Sequence, residues 1–536
     1  MYFRWKIFKV NQINIMRITG TIFCLLILQI GFSQSFFQKT FKGVYEAYGA
    51  ALLQNADSSY IIVGDANVNG KAKDIFIAKL NPHGDTLWTK TYGGTGTEIA
   101  SSVSGAADGG FIITGHTQGS FGGGSGTSTY LIRCNSNGDT LWTRIAGISN
   151  WNGKGNDVVE SIDGGFAVAS VYLNQIVLFK VKANGNHSWA YEYAGYGQTN
   201  ILSKANSVVH TADKGYVVAG VTANFGSGAS DIYVVKADSM GYLNNTLHAF
   251  GGNKDEEAYS IRKTNDGGFI IAGYTKSFGD SVYGDAFLLK INASIQTQWM
   301  KIFSRGYKDD VGYYAEQCND GGYIFTGYIT DQSGFQNLFL IKTDSNGNLV
   351  WKKTYGTATG GKGYMAKQTL DGGYAVIGTL ESSTANPEMW FMKTDSVGNS
   401  LCLQNTVTST FSPAAVQTQT KYISAFGAAF GPIEVPTATT QSYVNSTSTF
   451  CYVGLNEQFK NNDGVIIYPN PSSGQVIIKL EHEAEFVLHN AFGQKVYSIN
   501  LNKNSNSIDL KGFAAGIYYY TVKQQDRDLS GKLILE

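Results

Sequence analysis

Short, dense apolar runs separated by Gly-, Asp- and Asn-rich turns fill most of the chain, and this pattern predicts strands. The stretch Asp108-Gly109-Gly110-Phe111-Ile112-Ile113-Thr114-Gly115 sets the type; related versions begin at Asp57, Asp163, Asp213, Asp266, Asp320 and Asp371. Successive Asp positions lie 51, 55, 50, 53, 54 and 51 residues apart, and a regular period of this size marks a repeat architecture. In the copy at residues 98–147, Ala100 to Ala106 alternates loosely and predicts a first strand. Asp-Gly-Gly then turns the chain, because glycine accepts positive φ. Phe111 to His116 is apolar and dense, as a strand covered on both faces should be. The Gly/Ser-rich loop Gly119 to Ser128 leads to a third strand, Thr129 to Cys134. Asn135-Ser136-Asn137-Gly138 is a hairpin signal, and Thr140 to Ala146 makes a fourth strand. No period holds a 3.6-residue apolar pattern long enough for a helix, which excludes a helical solenoid.

Four antiparallel strands in each period are the pattern of a propeller blade, so seven periods predict an all-β, seven-bladed β-propeller over residues 34–402. The seventh copy starts at Tyr364 and loses the pattern at Ser400-Leu401-Cys402-Leu403, where its fourth strand is due. Phe37-Gln38-Lys39-Thr40-Phe41-Lys42-Gly43 matches the fourth strand Trp88-Thr89-Lys90-Thr91-Tyr92-Gly93-Gly94. The N-terminal strand is therefore expected to complete the last blade and close the ring, with fourth strands outermost and first strands along a central channel. One face then carries the turns between first and second and between third and fourth strands. The other carries the second-to-third loops and the connections between blades.

Three sets of recurring residues admit a structural and a functional reading. Trp88, Trp142, Trp189, Trp299 and Trp351 share one register in the fourth strand, four residues after the turn Gly, which is Ile295 before Trp299. On outer strands they read as blade-to-blade packing rather than as a ligand platform. Lys79, Arg133, Lys180, Lys236, Lys290, Lys342 and Lys393 end the third strands beside the turn that carries the repeat Asp. A contact of each base with its Asp, as of Lys290 with Asp266, would fix the turn; an anion-binding ring is the alternative. Five residues before each base stands a polar side chain on the opposite face: Asp74, Ser128, Gln175, Asp231, Asp285, Asn337 and Glu388. Acidic residues also enter the first strands at Glu46, Glu98, Glu256, Asp309 and Asp310. Carboxylates at loop bases can hold calcium or sugar hydroxyls, or satisfy loop N–H groups. On the first of these readings Asp74, Asp231, Asp285, Asn337 and Glu388 are the ligand-binding candidates, beneath the variable loops Gly119–Ser128, Ser277–Gly284 and Glu381–Pro387.

Composition narrows the function. The 41 basic and 41 acidic residues cancel, which argues against a nucleic-acid or anionic-membrane footprint. From Met16, Arg17 precedes the apolar run Ile22 to Leu28, and Gly31 and Ser33 suit cleavage before Gln34. Residues 1–33 read as a signal peptide, its first fifteen as an upstream start-site artefact, and no lipid anchor is read at Cys24. The run is too short to span a bilayer comfortably, so the mature chain is expected to have no transmembrane span. Of the remaining cysteines, Cys134, Cys318, Cys402 and Cys451, none forms a Cys-x-x-Cys pair, so no zinc or other metal site is expected. Cys402 and Cys451 bracket one irregular segment and pair as a disulfide on one reading; on the other, all four are free thiols. The seven His are scattered, no Gly-x-Ser-x-Gly elbow occurs, and no catalytic residue or cofactor is assigned. Asp344 to Trp351 departs by one residue in each half from the Asp-box spacing of sialidases, and the propeller holds four Arg (133, 144, 262 and 305), too few for a cluster on a carboxylate substrate.

Beyond residue 402 the period ends. Residues 403–453, poor in charge and rich in Ser, Thr, Gln and Ala, still hold Tyr422, Phe426, Phe430, Tyr443 and Phe450, and are expected to be an irregular β extension packed on the propeller. Gly454 to Gly464 reads as a linker. From Val465, short strands are expected at Gln475–Leu480, Glu485–His489, Lys495–Leu501, Gly516–Lys523 and Leu529–Leu535, a small Ig-like β-sandwich over 465–536. The motifs Tyr468-Pro469-Asn470-Pro471, Gly474, Asn490 to Val496 with Gly493, Leu510 to Tyr519 with Gly516 and Tyr518, and Gly531-Lys532-Leu533-Ile534 follow in order to the last residue. This segment resembles the type A C-terminal sorting domain of type IX secretion. The resemblance implies passage across the outer membrane through the type IX machinery, removal of the domain, and a product attached to surface lipopolysaccharide or released. The repeats over residues 36 to about 402 likewise resemble the Asp-Gly-Gly-Phe propellers of exported proteins in bacteria with this pathway, a likeness of fold.

These readings make the chain an exported, cell-surface or secreted propeller that binds a glycan or surface protein without catalysis. The alternatives are a carbohydrate-active enzyme with acid–base carboxylates at the channel mouth, and a structural surface spacer.

Overall fold

A computed structural model describes residues 36–535 apart from 44, 68–71, 120–125, 147–152, 194–202, 225, 280–281, 305–307, 358, 382–385, 401–403, 406–409, 415–416, 422–425, 428–438, 443–446, 454–464, 469–471, 473, 481, 491–493, 515 and 525–526. The described residues form strands and turns without a helix. The signal peptide, Cys402, the linker, Pro469, Asn470, Pro471 and Gly493 lie outside them, as do parts of the three variable loops.

After β1 (Phe36–Phe41) the strands come in fours, each four joined as one antiparallel sheet in chain order. The first sheet is β2 (Ala47–Gln54), β3 (Tyr60–Asn67), β4 (Lys73–Leu80) and β5 (Thr86–Gly93). The second is β6 (Thr97–Gly105), β7 (Phe111–Gln118), β8 (Thr127–Cys134) and β9 (Thr140–Ala146). The third is β10 (Gly153–Glu160), β11 (Phe166–Tyr172), β12 (Gln175–Val181) and β13 (His187–Glu192). The fourth is β14 (Ser203–His210), β15 (Tyr216–Thr222), β16 (Asp231–Ala237) and β17 (Leu243–Gly251). The fifth is β18 (Glu256–Lys263), β19 (Phe269–Thr275), β20 (Asp285–Ile291) and β21 (Thr297–Ser304). The sixth is β22 (Val311–Gln317), β23 (Tyr323–Thr330), β24 (Gln336–Thr343) and β25 (Leu349–Tyr355). The seventh combines β26 (Gly361–Gln368), β27 (Tyr374–Leu380) and β28 (Glu388–Thr394) with β1, which pairs with β28 from Phe37↔Lys393 to Phe41↔Met389.

Four-stranded antiparallel sheets of this kind are consistent with propeller blades. Second and third strands are buried on both faces, which explains their dense apolar sequence; β20 is buried along its whole length. The first strands neighbour one another in sequence order, β2 to β6 and so on to β26, and β26 neighbours β2.

The contact between successive sheets is made by the recurring tryptophans. Each lies over the turn glycine of the next sheet: a Cβ added to Gly138 would fall 2.5 Å from Trp88, and the same holds for Gly185 under Trp142, Gly241 under Trp189, Gly347 under Trp299 and Gly398 under Trp351. Trp142, Trp189, Trp299 and Trp351 also meet Phe166, Tyr216, Tyr323 and Tyr374 edge-on across the same junctions. Phe37 of β1 covers Gly84 in this way, joining seventh sheet to first. The fourth sheet has Asn245 in the tryptophan register, and the turn that follows in the fifth carries Ile295, buried and at φ 61°, in place of glycine. A turn freed from a tryptophan thus holds a side chain, even a β-branched one at positive φ.

Residues 404–453 lay further strands on the outer edges of the sheets. β29 (Gln404–Asn405) pairs with β25, β30 (Thr410–Ala414) with β21, β31 (Gln417–Lys421) with β17 and β32 (Phe426–Gly427) with β13. β33 (Thr439–Ser442) pairs with β5, and β34 (Thr447–Val453) with β1. The segment therefore visits the sheets in reverse order and caps the unpaired edges of six; among the described residues β9 carries no fifth strand.

The chain divides into two units after Gly454. The second holds a three-stranded sheet of β35 (Val465–Tyr468), β36 (Gln475–Leu480) and β39 (Asn504–Asp509). A four-stranded sheet comprises β38 (Lys495–Leu501), β37 (Ala484–His489), β40 (Gly516–Gln524) and β41 (Arg527–Leu535). Val476, Ile478 and Ile508 of the first share one core with Phe486, Leu488 and Tyr520 of the second.

Candidate functional site

The polar residues at the starts of the third strands contact nearby loops and strand ends. Asp231 is buried and accepts the Gly228 N–H at 3.2 Å. Burial raises its carboxyl above the usual range. Asp285 is buried against Gly279, and the half-buried Asp74 lies beside Gly93. Asn337 donates to Asp331 at 3.1 Å, and Glu388 pairs with Lys42 at 2.8 Å. The acidic residues entering the first strands behave alike. Glu98 accepts the Gly94 N–H at 3.0 Å, Glu256 the Gly252 N–H at 2.8 Å and Asp310 the Thr330 N–H at 2.8 Å. Among the described residues no three His, Cys, Asp or Glu side chains are grouped to hold a metal ion.

At the opposite ends of the sheets, six of the seven bases contact their repeat Asp. Lys290 meets Asp266 at 2.9 Å, Lys342 meets Asp320 at 2.8 Å, Lys393 meets Asp371 at 2.8 Å, and Arg133, Lys180 and Lys236 meet Asp108, Asp163 and Asp213. Lys290, Lys342 and Lys393 also donate to the carbonyls of Ile291, Thr343 and Thr394, so each base ties the end of its strand to the turn. In the first sheet Asp57 instead accepts from Ser59, and Lys79 reaches the Ser136 carbonyl. Burial opposes the charge on Asp266, but hydrogen bonds from Thr264, Lys290 and the Gly268 N–H outweigh it and hold the carboxyl down at about 2.

The concave site lies along the first strands. Each of the seven has a β-bulge at the same register, at Ala50, Ser101, Asn156, Asn206, Tyr259, Tyr313 and Tyr364. A bulge re-aims the residue it inserts. Tyr313 has ring neighbours on both sides, Tyr259 at 5.1 Å and Tyr364 at 5.2 Å, while Asn156 and Asn206 donate to the carbonyls of Ala205 and Ala258 in the next sheet.

Beyond the bulges, towards the Asp-Gly-Gly turns, a cavity of about 340 Å³ is lined by residues of β2, β6, β10, β14, β18, β22 and β26. A polar network runs round it. Asp157 accepts from Ser102 (2.7 Å), Ser207 (2.8 Å), the Val158 and Val208 N–H groups (3.0 and 3.1 Å) and Arg262 Nη1 (3.1 Å). Arg262 donates through Nε to Tyr314 at 3.1 Å, and the Tyr314 hydroxyl donates to Glu316 at 2.9 Å. Glu316 also accepts the Gln368 N–H and pairs with Lys367 at 3.4 Å. The negative charge of Glu316 raises the pKa of Lys367; for Arg262, burial pulls down, and Asp157, Tyr314 and Glu316 together more than offset it. Leu52, Leu53, Val103, Val159 and Val209 are among the apolar residues of the wall.

None of these network residues was a candidate by sequence. Their positions differ from repeat to repeat, so the period that reveals the sheets hides the cavity. The available signal was the loose alternation of the first strands, which the bulges cause.

No curated protein matches the chain. Among solved structures, it is similar to a protein of unknown function from Dyadobacter fermentans DSM 18053, at 7% identity and a TM-score of 0.36, covering 67% of this chain and 98% of that one. A protein from Lactobacillus plantarum gives 13% identity and a TM-score of 0.35, covering 59% and 96%. Residues 466–536 match the model of the secretion system C-terminal sorting domain. That domain marks proteins exported by type IX secretion, and the protein is accordingly an exported one, secreted or attached to the cell surface.

Proposed function

We propose that this is an exported, non-catalytic binding protein. Residues 34–402 form a closed seven-bladed β-propeller, 403–453 its outer belt, 454–464 a linker and 465–536 an Ig-like sorting domain handled by the type IX machinery. The observation that carries the binding role is the cavity framed by one strand from each of the seven sheets. Closure is supported by three features at the junction of seventh and first sheets: the shared β1, Phe37 over Gly84, and the Leu370 N–H donated to Gln54. The last two repeat contacts made at other junctions, as when Gln368 accepts from Asn319 and Gln317 from Asn265. A binding rather than hydrolytic role is favoured because Asp157 and Glu316, the acids of the cavity, already accept donors on both oxygens.

Expression of the full chain and of a chain ending at 464 in a bacterium with type IX secretion tests delivery. The full chain is expected outside the outer membrane and the shorter one in the periplasm; equal export of both would contradict the reading. A glycan array and a surface-protein pull-down with residues 34–453 test for a large partner beyond the cavity.

A further inference from the structure

The cavity is uneven, and its unevenness selects a ligand class; the argument rests on the closed-ring reading above. At one level of the first strands stand Leu53, Val159 and Val209 on one arc and Arg262, Glu316 and Lys367 on another. Each pairs with the second residue of its neighbouring strand, so they share a register. Ser104 of β6 shares this register and stands between Leu53 and Val159, so one arc is hydrocarbon around a single hydroxyl and the other is charged.

The charged half has more free donors than free acceptors. Asp157 is saturated by the hydrogen bonds described above, and Glu316 takes one donor on Oε1 and two on Oε2. Arg262 spends Nε on Tyr314 and Nη1 on Asp157, Ser207 and the Ile261 carbonyl, while Nη2 meets no acceptor among the described residues. Lys367 has Glu316 at 3.4 Å, the long limit of a hydrogen bond, and Lys263 at the rim has no side-chain partner among the described residues. Three cations against two carboxylates leave a net positive wall that offers N–H groups. The side chains of Arg262 and Lys367 are 22% and 29% exposed, sunk enough to hold an anion away from bulk water and open enough to meet one. A volume of about 340 Å³ suits a small organic molecule.

We propose that this chamber binds a monocarboxylate with a short hydrocarbon or aromatic body. The carboxylate lies against Arg262 Nη2 and Lys367 Nζ, and the body lies on Leu53, Val159 and Val209. Inorganic anions satisfy the first half of the wall and leave the second wet.

Calorimetric titration of the full chain with hexanoate and benzoate tests this, with hexanamide, hexylamine and inorganic phosphate as controls. One carboxylate is expected to bind per chain, about tenfold or more tighter than the amide, because a charged hydrogen bond is lost in the latter. Lys367→Met is expected to weaken hexanoate about tenfold. Lys263→Gln, a rim change that leaves the network intact, is expected to weaken it about threefold through lost long-range attraction. Equal binding of hexanoate and hexanamide, or binding of neither, overturns the proposal; phosphate binding as tightly as hexanoate overturns its apolar half. Deleting residues 1–43 provides the separate control on closure. If that deletion lowers the melting temperature but no carboxylate binds, the ligand class fails alone. If it changes nothing, the closed ring fails with it.

Discussion

On the outer strands one contact recurs: an aromatic ring of one sheet covers the turn glycine of the next, at six junctions counting Phe37 on Gly84. On the first strands of the same sheets one level facing the cavity varies most, running from Leu53 through Ser104, Val159 and Val209 to Arg262, Glu316 and Lys367. The outer positions answer to the geometry of the junction, which is the same at each step. The inner positions answer to one another across the cavity, so each is free to differ. Where the repeat is faithful it reports architecture; where it lapses it reports chemistry.

Substitutions that break the outer contact should have the largest effect and leave the chamber's chemistry untouched. Trp189→Ala empties a buried junction and is expected to cost about 3–5 kcal/mol in urea unfolding. Hexanoate affinity of the folded fraction should not change. Gly138→Ala drives a methyl into Trp88 and is expected to cost about 1–3 kcal/mol by the same measurement. Ile295 shows the converse, since its turn follows the one fourth strand with asparagine in the tryptophan register.

Acid titration sharpens the comparison through the sign of its effect. Asp266 is a repeated carboxylate held down at about 2, so the stability it contributes is full above about pH 4 and lost as pH falls towards 2. Asp266→Asn should remove that loss and cost about 1 kcal/mol or less at neutral pH, because the aspartate is half exposed. Asp65, a residue without a repeated counterpart, is pushed the other way, up to about 7, by burial that Lys73 only partly offsets. Asp65→Asn should therefore become increasingly stabilising as pH rises from 4 to 7 and level off above, measured as the melting temperature across that range.

Much of the fold was legible because turn chemistry and apolar density repeat. The fourth strand Thr140–Ala146 stands at its expected limits, and first strands such as Thr97–Gly105 begin earlier than expected because the bulge at Ser101 interrupts the alternation. In the C-terminal unit β39 (Asn504–Asp509), made of Asn, Ser and Asp around Ile508, carries too little apolar signal to be read as a strand. The belt was harder still. Its strands are two to seven residues long, and their pairing partners lie far away in the sequence. The acidic residues at the loop bases were visible in the sequence, and their hydrogen-bond partners were not. Glu98 and Glu256 accept the N–H groups four residues behind them, a local duty that sequence spacing does not reveal.

The central claim is that β1 closes a ring and so brings seven unlike first strands to one cavity. Thermal unfolding of a chain lacking residues 1–43, with and without a synthetic peptide of residues 36–43, tests it most directly. Phe37 and Phe41 are fully buried, so the deletion should lower the melting temperature sharply, and the peptide should restore it saturably. An unchanged melting temperature, or a loss that the peptide does not repair, would contradict the claim.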